Sequence, residues 1–479
     1  MTRNSVIKKL AGFVVLILTG IPHLEAQNLL ETYELALQNN PVLKQAQANQ
    51  SAIGESKDQS IARFLPNISA TGASNRVVQT NSKSSIAAFF PARQEYWNNT
   101  ISVNLTQPIF HWDYWVQLSQ SDNKIAQAEA TYQAELQNLM VKTTQAYFNV
   151  LSAQDNLEFT IAEKQAISRQ LEQAKQRFEV GLIAITDVNE AQAGFDQARA
   201  NEIEAANNLD NQKEALREII GENDALLSVL GNDLPLSRPN PNDIKVWSDA
   251  AEANNFNIIS AFNQAEVSRK SIALQRSGHL PRLDLVASYG QNDNTSVFGF
   301  RGDIQSVGVQ FNVPLFEGGA VNSRTRQATH EYEAAKEKLN ETKRSVKRQV
   351  KDAYRGVVST ISRVEALKAT VISAESASEA TEAGFEVGTR TMVDILNEQR
   401  NLFRAKRDFS RTRYDYLINS IKLKQASSNL TQDDLEQINR LLIANAYSRA
   451  NLPPIPDQCR HSFHFKAATD AGEYCHPGR

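Results

Sequence analysis

The spacing of apolar positions along this chain switches between three-and-four and two, and the whole cycle is written twice. Leu29–Leu37 predicts a short amphipathic helix that ends at Asn39-Asn40-Pro41. A second helix runs to about Arg63 and stops at Leu65-Pro66. The period then drops to two. Residues 67–80 carry a weak strand signal, and residues 81–97 predict a loop holding Phe89, Phe90, Tyr96 and Trp97. Next, Ile101, Val103 and Leu105 alternate with Ser102, Asn104 and Thr106, a one-sided strand closed by Pro108. Trp112, Tyr114 and Trp115 follow, and from about Asp113 to Val180 there is neither Pro nor Gly. A continuous helix of that length would reach ~100 Å at 1.5 Å per residue. Leu136, Leu139/Met140, Tyr147 and Val150/Leu151 recur along it at helical spacing.

The second half repeats this order. A helix from about Phe256 stops at Leu280-Pro281. Leu283, Leu285, Ala287 and Tyr289 then alternate with Arg282, Asp284, Val286 and Ser288. After a Gly/Asn/Asp-rich loop, Val307, Val309, Phe311 and Val313 alternate with Ser306, Gly308, Gln310 and Asn312, and Pro314 closes the strand. A second very long helix runs from about Val321 to Val387. The two long helices end in matching text: Phe178-Glu-Val-Gly-Leu-Ile-Ala-Ile-Thr-Asp187 returns as Phe385-Glu-Val-Gly-Thr-Arg-Thr-Met-Val-Asp394. Gly181 and Gly388 sit where a helix stop favours left-handed backbone. Asp187 and Asp394 fall in the first turn of the next helix, where its dipole favours a carboxylate. Thr391-Met-Val-Asp394 fits a capping box, so Asp394 has a purely local role available to it. Each half therefore predicts helix, strand, loop, strand and a long helical hairpin, the halves being related by pseudo-symmetry.

This divides the chain into residues 1–26, a first repeat at 27–220, a linker at 221–255 with a short helix, a second repeat at 256–430, a helix-bearing segment at 431–450 and a tail at 451–479. The helix matching the linker helix is expected at Asp433–Ala446, packed midway along the long helices. Residues 1–26 read as a secretory signal: Arg3, Lys8 and Lys9, an apolar Ala11–Ile21, then Leu24-Glu25-Ala26. Its removal would take the net charge from −3 to −5. No later run approaches the ~20 apolar residues of a membrane-spanning helix.

One-sided strands of about ten residues suit a bilayer-spanning β-barrel, although a soluble half-buried sheet uses the same alternation. Aromatics at both ends of the second strand favour the membrane, as does the lack of apolar segments to cover such a sheet. Four strands cannot close a barrel, and lipid does not tolerate open edges, so the chain must share a barrel between protomers. The long helices are too long for a compact domain, and an ordinary antiparallel coiled coil would show the same periodicity. The modest charge argues against nucleic acid. Cys459 and Cys475, with His461, His464 and His476, are read as a flexible tail rather than a metal cluster, and an oxidising compartment would allow the two Cys to pair, their state being left open by the sequence. No nucleophile–base arrangement is visible, so the chain is expected not to be an enzyme and to need no cofactor.

Several stretches together resemble the TolC family of outer-membrane channel proteins, over about Gln27 to Ala446. They are Ala146-Tyr-Phe-Asn-Val-Leu151, Arg177–Val188, Gly278-His-Leu-Pro-Arg-Leu-Asp-Leu285, Gly318-Gly-Ala-Val-Asn-Ser323, Val387–Asp394 and Tyr414-Asp-Tyr-Leu-Ile-Asn419. The resemblance implies an α+β membrane protein: a homotrimer with a twelve-stranded outer-membrane β-barrel, four strands per protomer, continued into the periplasm of a Gram-negative cell by an α-helical barrel. It implies an exit duct for drug efflux and type I protein secretion, set in outer-membrane lipid. Its tip would be opened by a periplasmic adaptor (membrane fusion) protein with an inner-membrane efflux pump or ABC exporter. Asp394 would form an acidic ring at the narrowest point, and the second ring of the family falls at Asn397, which is neutral. Gln170, Thr186, Asp187 and Arg390 match the linkages that hold the tip shut, and Phe385 stands where that network has a Tyr. Read from the residues alone, an exported trimeric helical-bundle interaction protein without a pore remains the alternative, and Asp187–Arg390 remains readable as a plain surface ion pair.

Overall fold

The computed structural model describes residues 26–80, 93–223, 225–231, 233–296 and 299–443. The expected signal segment up to residue 25, Phe89 and Phe90, and the tail with Cys459 and Cys475 lie outside the described residues.

Two short helices open the described chain, α1 (Leu29–Asn39) and α2 (Pro41–Ala62), followed by strands β1 (Asn67–Thr80) and β2 (Arg93–Phe110). Then come α3 (Trp112–Glu179), with 68 residues, and its return helix α4 (Ile185–Ile220). The linker holds β3 (Val229–Leu230) and α5 (Ile244–Asn254). The second repeat follows: α6 (Phe256–Arg276), β4 (Arg282–Asn294), β5 (Arg301–Asn312), α7 (Ala320–Glu386) with 67 residues, and α8 (Met392–Ala426). The last elements are α9 (Gln432–Asn439) and β6 (Leu442–Ile443).

Both long helices run the full height of a wall, ~100 Å at 1.5 Å per residue. The return helices cover only half of it. The other half is covered by α2 beside α3 and by α6 between α3 and α7. Asparagines splice the pieces end to end. Asn40 caps α2 by accepting from the Val42 and Leu43 amides at 3.0 and 3.1 Å, while Asn39 donates to the Ile220 carbonyl that ends α4, at 2.8 Å. In the second repeat one residue does both jobs. Asn255 accepts from the Asn257 amide at 3.0 Å and donates to the Ala426 carbonyl at 3.1 Å, tying the start of α6 to the end of α8. Each splice satisfies orphan groups of both helix ends and sets a negative helix end against a positive one.

The four long strands form one antiparallel sheet in the order β1-β2-β4-β5. Register aligns Ile68 with Leu105 and Leu105 with Ala287, Leu285 with Val309, and Leu283 with Phe311. All of these side chains share one face, as strand alternation requires. That face is open in the protomer: Val309 is 62% and Phe311 66% exposed. The opposite face carries Ser69, Thr71, Ser102, Asn104, Ser288 and Ser306. Hydroxyls pair across it, Thr71 with Ser102 at 2.8 Å and Ser288 with Ser306 at 2.7 Å. A soluble sheet would bury its apolar face; this one buries neither. Among the described residues no helix is long and apolar enough to cross a membrane.

Two expectations are corrected. The loop expected over residues 81–97 gives way to strand at Arg93, and Tyr96 and Trp97 lie inside β2. In Gln94–Asn99 polar residues fall on both faces, so the alternation that marks a one-sided strand is missing there. The helix expected at Asp433–Ala446 is α9, ending at Asn439, after which Leu442–Ile443 pairs with β3. A short apolar run such as Leu441-Leu442-Ile443 suits either structure, and the pairing decides it.

The main apolar core lies at mid-height, where α1, α5, α9 and the β3–β6 pair gird the long helices. Tyr147, Phe148 and Leu151 of α3 are fully buried there with Leu417 and Ile421 of α8. Phe148 stacks on Tyr414 at 5.6 Å, and the Tyr147 hydroxyl donates to the Ser228 carbonyl at 2.7 Å. Just below, contacts between the hairpins become polar. Asp155 accepts from Ser410 and, at 2.8 Å, from Tyr414, while Arg407 meets Glu163 at 2.7 Å. Burial pushes the Asp155 carboxyl above its ordinary value, outweighing the hydroxyls of Ser410 and Tyr414 and the charge of Arg413.

Two predictions follow from faces and burial. Val309→Arg or Phe311→Arg should prevent appearance of a heat-modifiable trimer in outer-membrane fractions, because a lipid-facing charge near the midplane costs about 2–4 kcal/mol. Ser306→Lys, on the hydroxyl face, should assemble. The Asp155 contribution to stability is largest below the unfolded carboxyl value and is lost as pH rises through the higher folded value. Melting midpoints of the trimer measured across the acidic range should therefore vary less with pH in Asp155→Asn, which keeps an oxygen for both hydroxyls.

Candidate functional site

The two hairpin tips are built by the same local chemistry. After α3, Gly181 takes φ +76° and the Leu182 amide returns to the Arg177 carbonyl at 2.8 Å. After α7, Gly388 takes φ +81° and the Thr389 amide returns to the Gly384 carbonyl at 2.8 Å. Only glycine adopts that conformation without strain, which is why the two copies agree at this position. The helices restart with carboxylate caps. Asp394 accepts from the Thr391 amide at 2.9 Å and hydroxyl at 3.0 Å, while its own amide donates to the Thr391 hydroxyl oxygen at 3.3 Å. Asp187 accepts from the Ala184 amide at 3.3 Å, and alanine offers no oxygen in return. The Thr391 amide holds the Asp394 carboxyl below the ordinary aspartate value, helped by the Thr391 hydroxyl and the Arg390 charge.

Within the protomer the tips are pressed together by a small apolar cluster. Ile167, Leu171 and Ala174 of α3 and Ala191 and Ala198 of α4 surround Met392 and Leu396 of α8. Gly194 makes the approach possible, since a Cβ there would lie 3.3 Å from the Leu396 Cδ1. Beside this cluster the buried Gln170 donates to Glu382 at 2.7 Å, joining α3 to α7.

Of the residues singled out from sequence, Gln170 therefore links the two hairpins. Phe385 is half-buried and packs against the tip cluster. Thr186 is exposed. Asp187 and Arg390 line one groove between the tips, about 700 Å³ in volume, but no ion pair joins them within the protomer. Asp187 is turned back to cap its helix, and the Arg390 stem lies over Gly384, where a Cβ would come within 2.7 Å of its Cγ. Asp394 is partly exposed and Asn397 exposed, one turn apart on α8. Sequence reasoning missed Glu382, the partner of Gln170, and Arg177, whose guanidinium lies over the Phe385 ring at 4.9 Å from its centroid.

The profile of the outer membrane efflux protein family matches residues 32–222 and 247–429. The chain is 39% identical over 421 residues to outer membrane protein TolC of Vibrio cholerae, covering 86% of this chain and 93% of that one. It is 28% identical over 452 residues to the alkaline protease secretion protein AprF of Pseudomonas aeruginosa, covering 94% of each. Among solved structures, the CmeC outer membrane channel of Campylobacter jejuni matches with a TM-score of 0.74 at 17% identity, over 87% of this chain and 90% of that one. The pore-less bundle has no support in these likenesses, and the sheet is one third of a trimeric barrel whose helices continue into the periplasm. The chain belongs to the outer membrane efflux protein family and forms an outer-membrane exit duct for efflux.

Proposed function

We propose that this duct is closed at its periplasmic tip by the residues around the two hairpin turns, and that inner-membrane transporters open it through an adaptor. The observation that carries the reading is the position of the partly exposed Asp394 and the exposed Asn397, one turn apart on α8 immediately above the turn. Repeated by threefold symmetry, Asp394 gives a ring of carboxylates with neutral amides one turn away. Gln170–Glu382 fastens the hairpins of one protomer. Thr186, Asp187 and Arg390 reach between protomers, since the Arg390 guanidinium has no carboxylate within ion-pair distance among the described residues of its own protomer. Opening requires a partner that grips the tips. Val180, Leu182 and Val387 offer it apolar surface, being 70%, 73% and 75% exposed. The adaptor is a periplasmic membrane fusion protein, and the pump is an efflux transporter or an ABC exporter. Passengers include proteins, in line with the secretion role named for AprF.

Conductance in planar bilayers tests this directly. Arg390→Ser should raise it, and Gly384→Ala should raise it less, because a methyl group there displaces the arginine stem without removing its charge. Trivalent hexammine cations should block the parent weakly, Asp394→Ala not at all and Asn397→Asp more tightly, as charge rings do at a constriction. Equal block of the parent and Asp394→Ala would leave Asp394 as a helix cap only.

A further inference from the structure

We infer that Arg177 is a further gate residue: its guanidinium, lying on the face of the Phe385 ring, ties the tip of the first hairpin to the tip of the second. Arg177 stands in the last turn of α3 and Phe385 in the last turn of α7, so the contact joins the two long helices where both end. The separation of 4.9 Å to the ring centroid is within cation–π range. No carboxylate lies within ion-pair distance of Arg177 among the described residues, so the ring is its electrostatic partner there. The ring is held in place, because Phe385 packs against the apolar cluster of Ile167, Leu171 and Met392. Both residues also line the groove that contains Asp187 and Arg390, which places the contact inside the gate.

A cation at the end of a helix also complements the helix dipole, and that role would need no aromatic neighbour. The two accounts differ in what Phe385 contributes. Phenylalanine has no hydroxyl to hydrogen-bond, so its ring face is the polar feature it can offer a neighbour. A cation–π contact at an exposed site biases an equilibrium by about two- to fivefold. If three such contacts break together in a trimer, the bias is about ten- to a hundredfold.

This inference rests on the gate reading, and the experiment separates the two. Single-channel conductance and trimer melting are measured for the parent, Arg390→Ser, Arg177→Gln, Phe385→Leu, Phe385→Tyr and the double variant Arg177→Gln/Phe385→Leu. Phe385→Leu keeps an apolar side chain against the cluster and removes only the ring. The expected result is that Arg177→Gln and Phe385→Leu each shift the channel toward the open state by a similar factor, with melting unchanged. The double variant should open no further than either single one, and Phe385→Tyr should stay closed. Additive effects in the double variant would mean independent roles and overturn the latch. Opening by Arg390→Ser without any change in Arg177→Gln would overturn it too, with the gate reading intact. A fall in melting that accompanies opening in Arg177→Gln would assign Arg177 a structural role and overturn it as well. Unchanged conductance in Arg390→Ser, Arg177→Gln and Phe385→Leu alike would remove the gate reading, and the latch with it.

Discussion

Unpaired strand edges are what the rest of this structure answers to. The sheet has only four long strands, and its outer members, β1 and β5, each leave one row of backbone groups without a partner in the protomer. In hydrocarbon each such group costs several kcal/mol, so the edges must close on other copies of the chain. Closure with threefold symmetry gives twelve strands and a lumen whose wall is set by strand alternation. The face with Val307, Val309 and Phe311 meets lipid, and the face with Thr71, Ser102, Ser288 and Ser306 meets water. One sequence register decides both surfaces at once, and a slip of one residue would exchange them.

The helical wall inherits that symmetry. Four strands per protomer lead into two full-length helices, and the gaps between those are filled by two half-length helices above and two below. The splices at Asn39-Asn40 and Asn255 let separate segments behave as one rod, because the amide of asparagine donates to one helix end while its oxygen caps the next. Polarity then separates the neighbours. Helix α4 carries eight acidic residues against three basic ones, and α8 carries eight basic against four acidic. The Arg407–Glu163 pair and the Arg413 charge near Asp155 use the basic side of α8 against carboxylates of α3, drawing α8 onto the first hairpin of its own protomer.

Much of this was legible in the residues, and the exceptions have physical causes. Period-two text located β4 and β5, because alternation records one apolar face, and long proline-free text located α3 and α7 to within a residue or two, because nothing in it breaks a helix. The family-like stretches also gain a reason: Phe148 of the first meets Tyr414 of another, and Gly278 of a third lies 3.2 Å, measured from an added Cβ, from Val321 of a fourth. The near end of β2 stayed hidden because both of its faces are polar there. Arg177 and Glu382 stayed hidden because each looks like an ordinary charge near a helix end. Their partners, Phe385 and Gln170, lie more than two hundred positions away in the chain. Local spacing carries no information about such pairs; only the docking of one repeat on the other creates them.

That docking also decides where a duct of this kind can open. At mid-height the wall is held by a large cluster built around Tyr147, Phe148, Leu151, Leu417 and Leu435, every one of them nearly inaccessible. At the tip it is held by a handful of residues, three of them alanines, with Val180, Leu182 and Val387 left in solvent. Between the two clusters the hairpins meet through directional polar pairs, among them Asp155–Tyr414 and Arg407–Glu163. Local stability follows buried apolar contact, so the free energy needed to separate the wall falls from the middle toward the turns. A partner working at the periplasmic end acts where separation costs least, and the barrel end, sealed by strand pairing, need not move. In the closure proposed above, the gradient of packing is itself part of the gate.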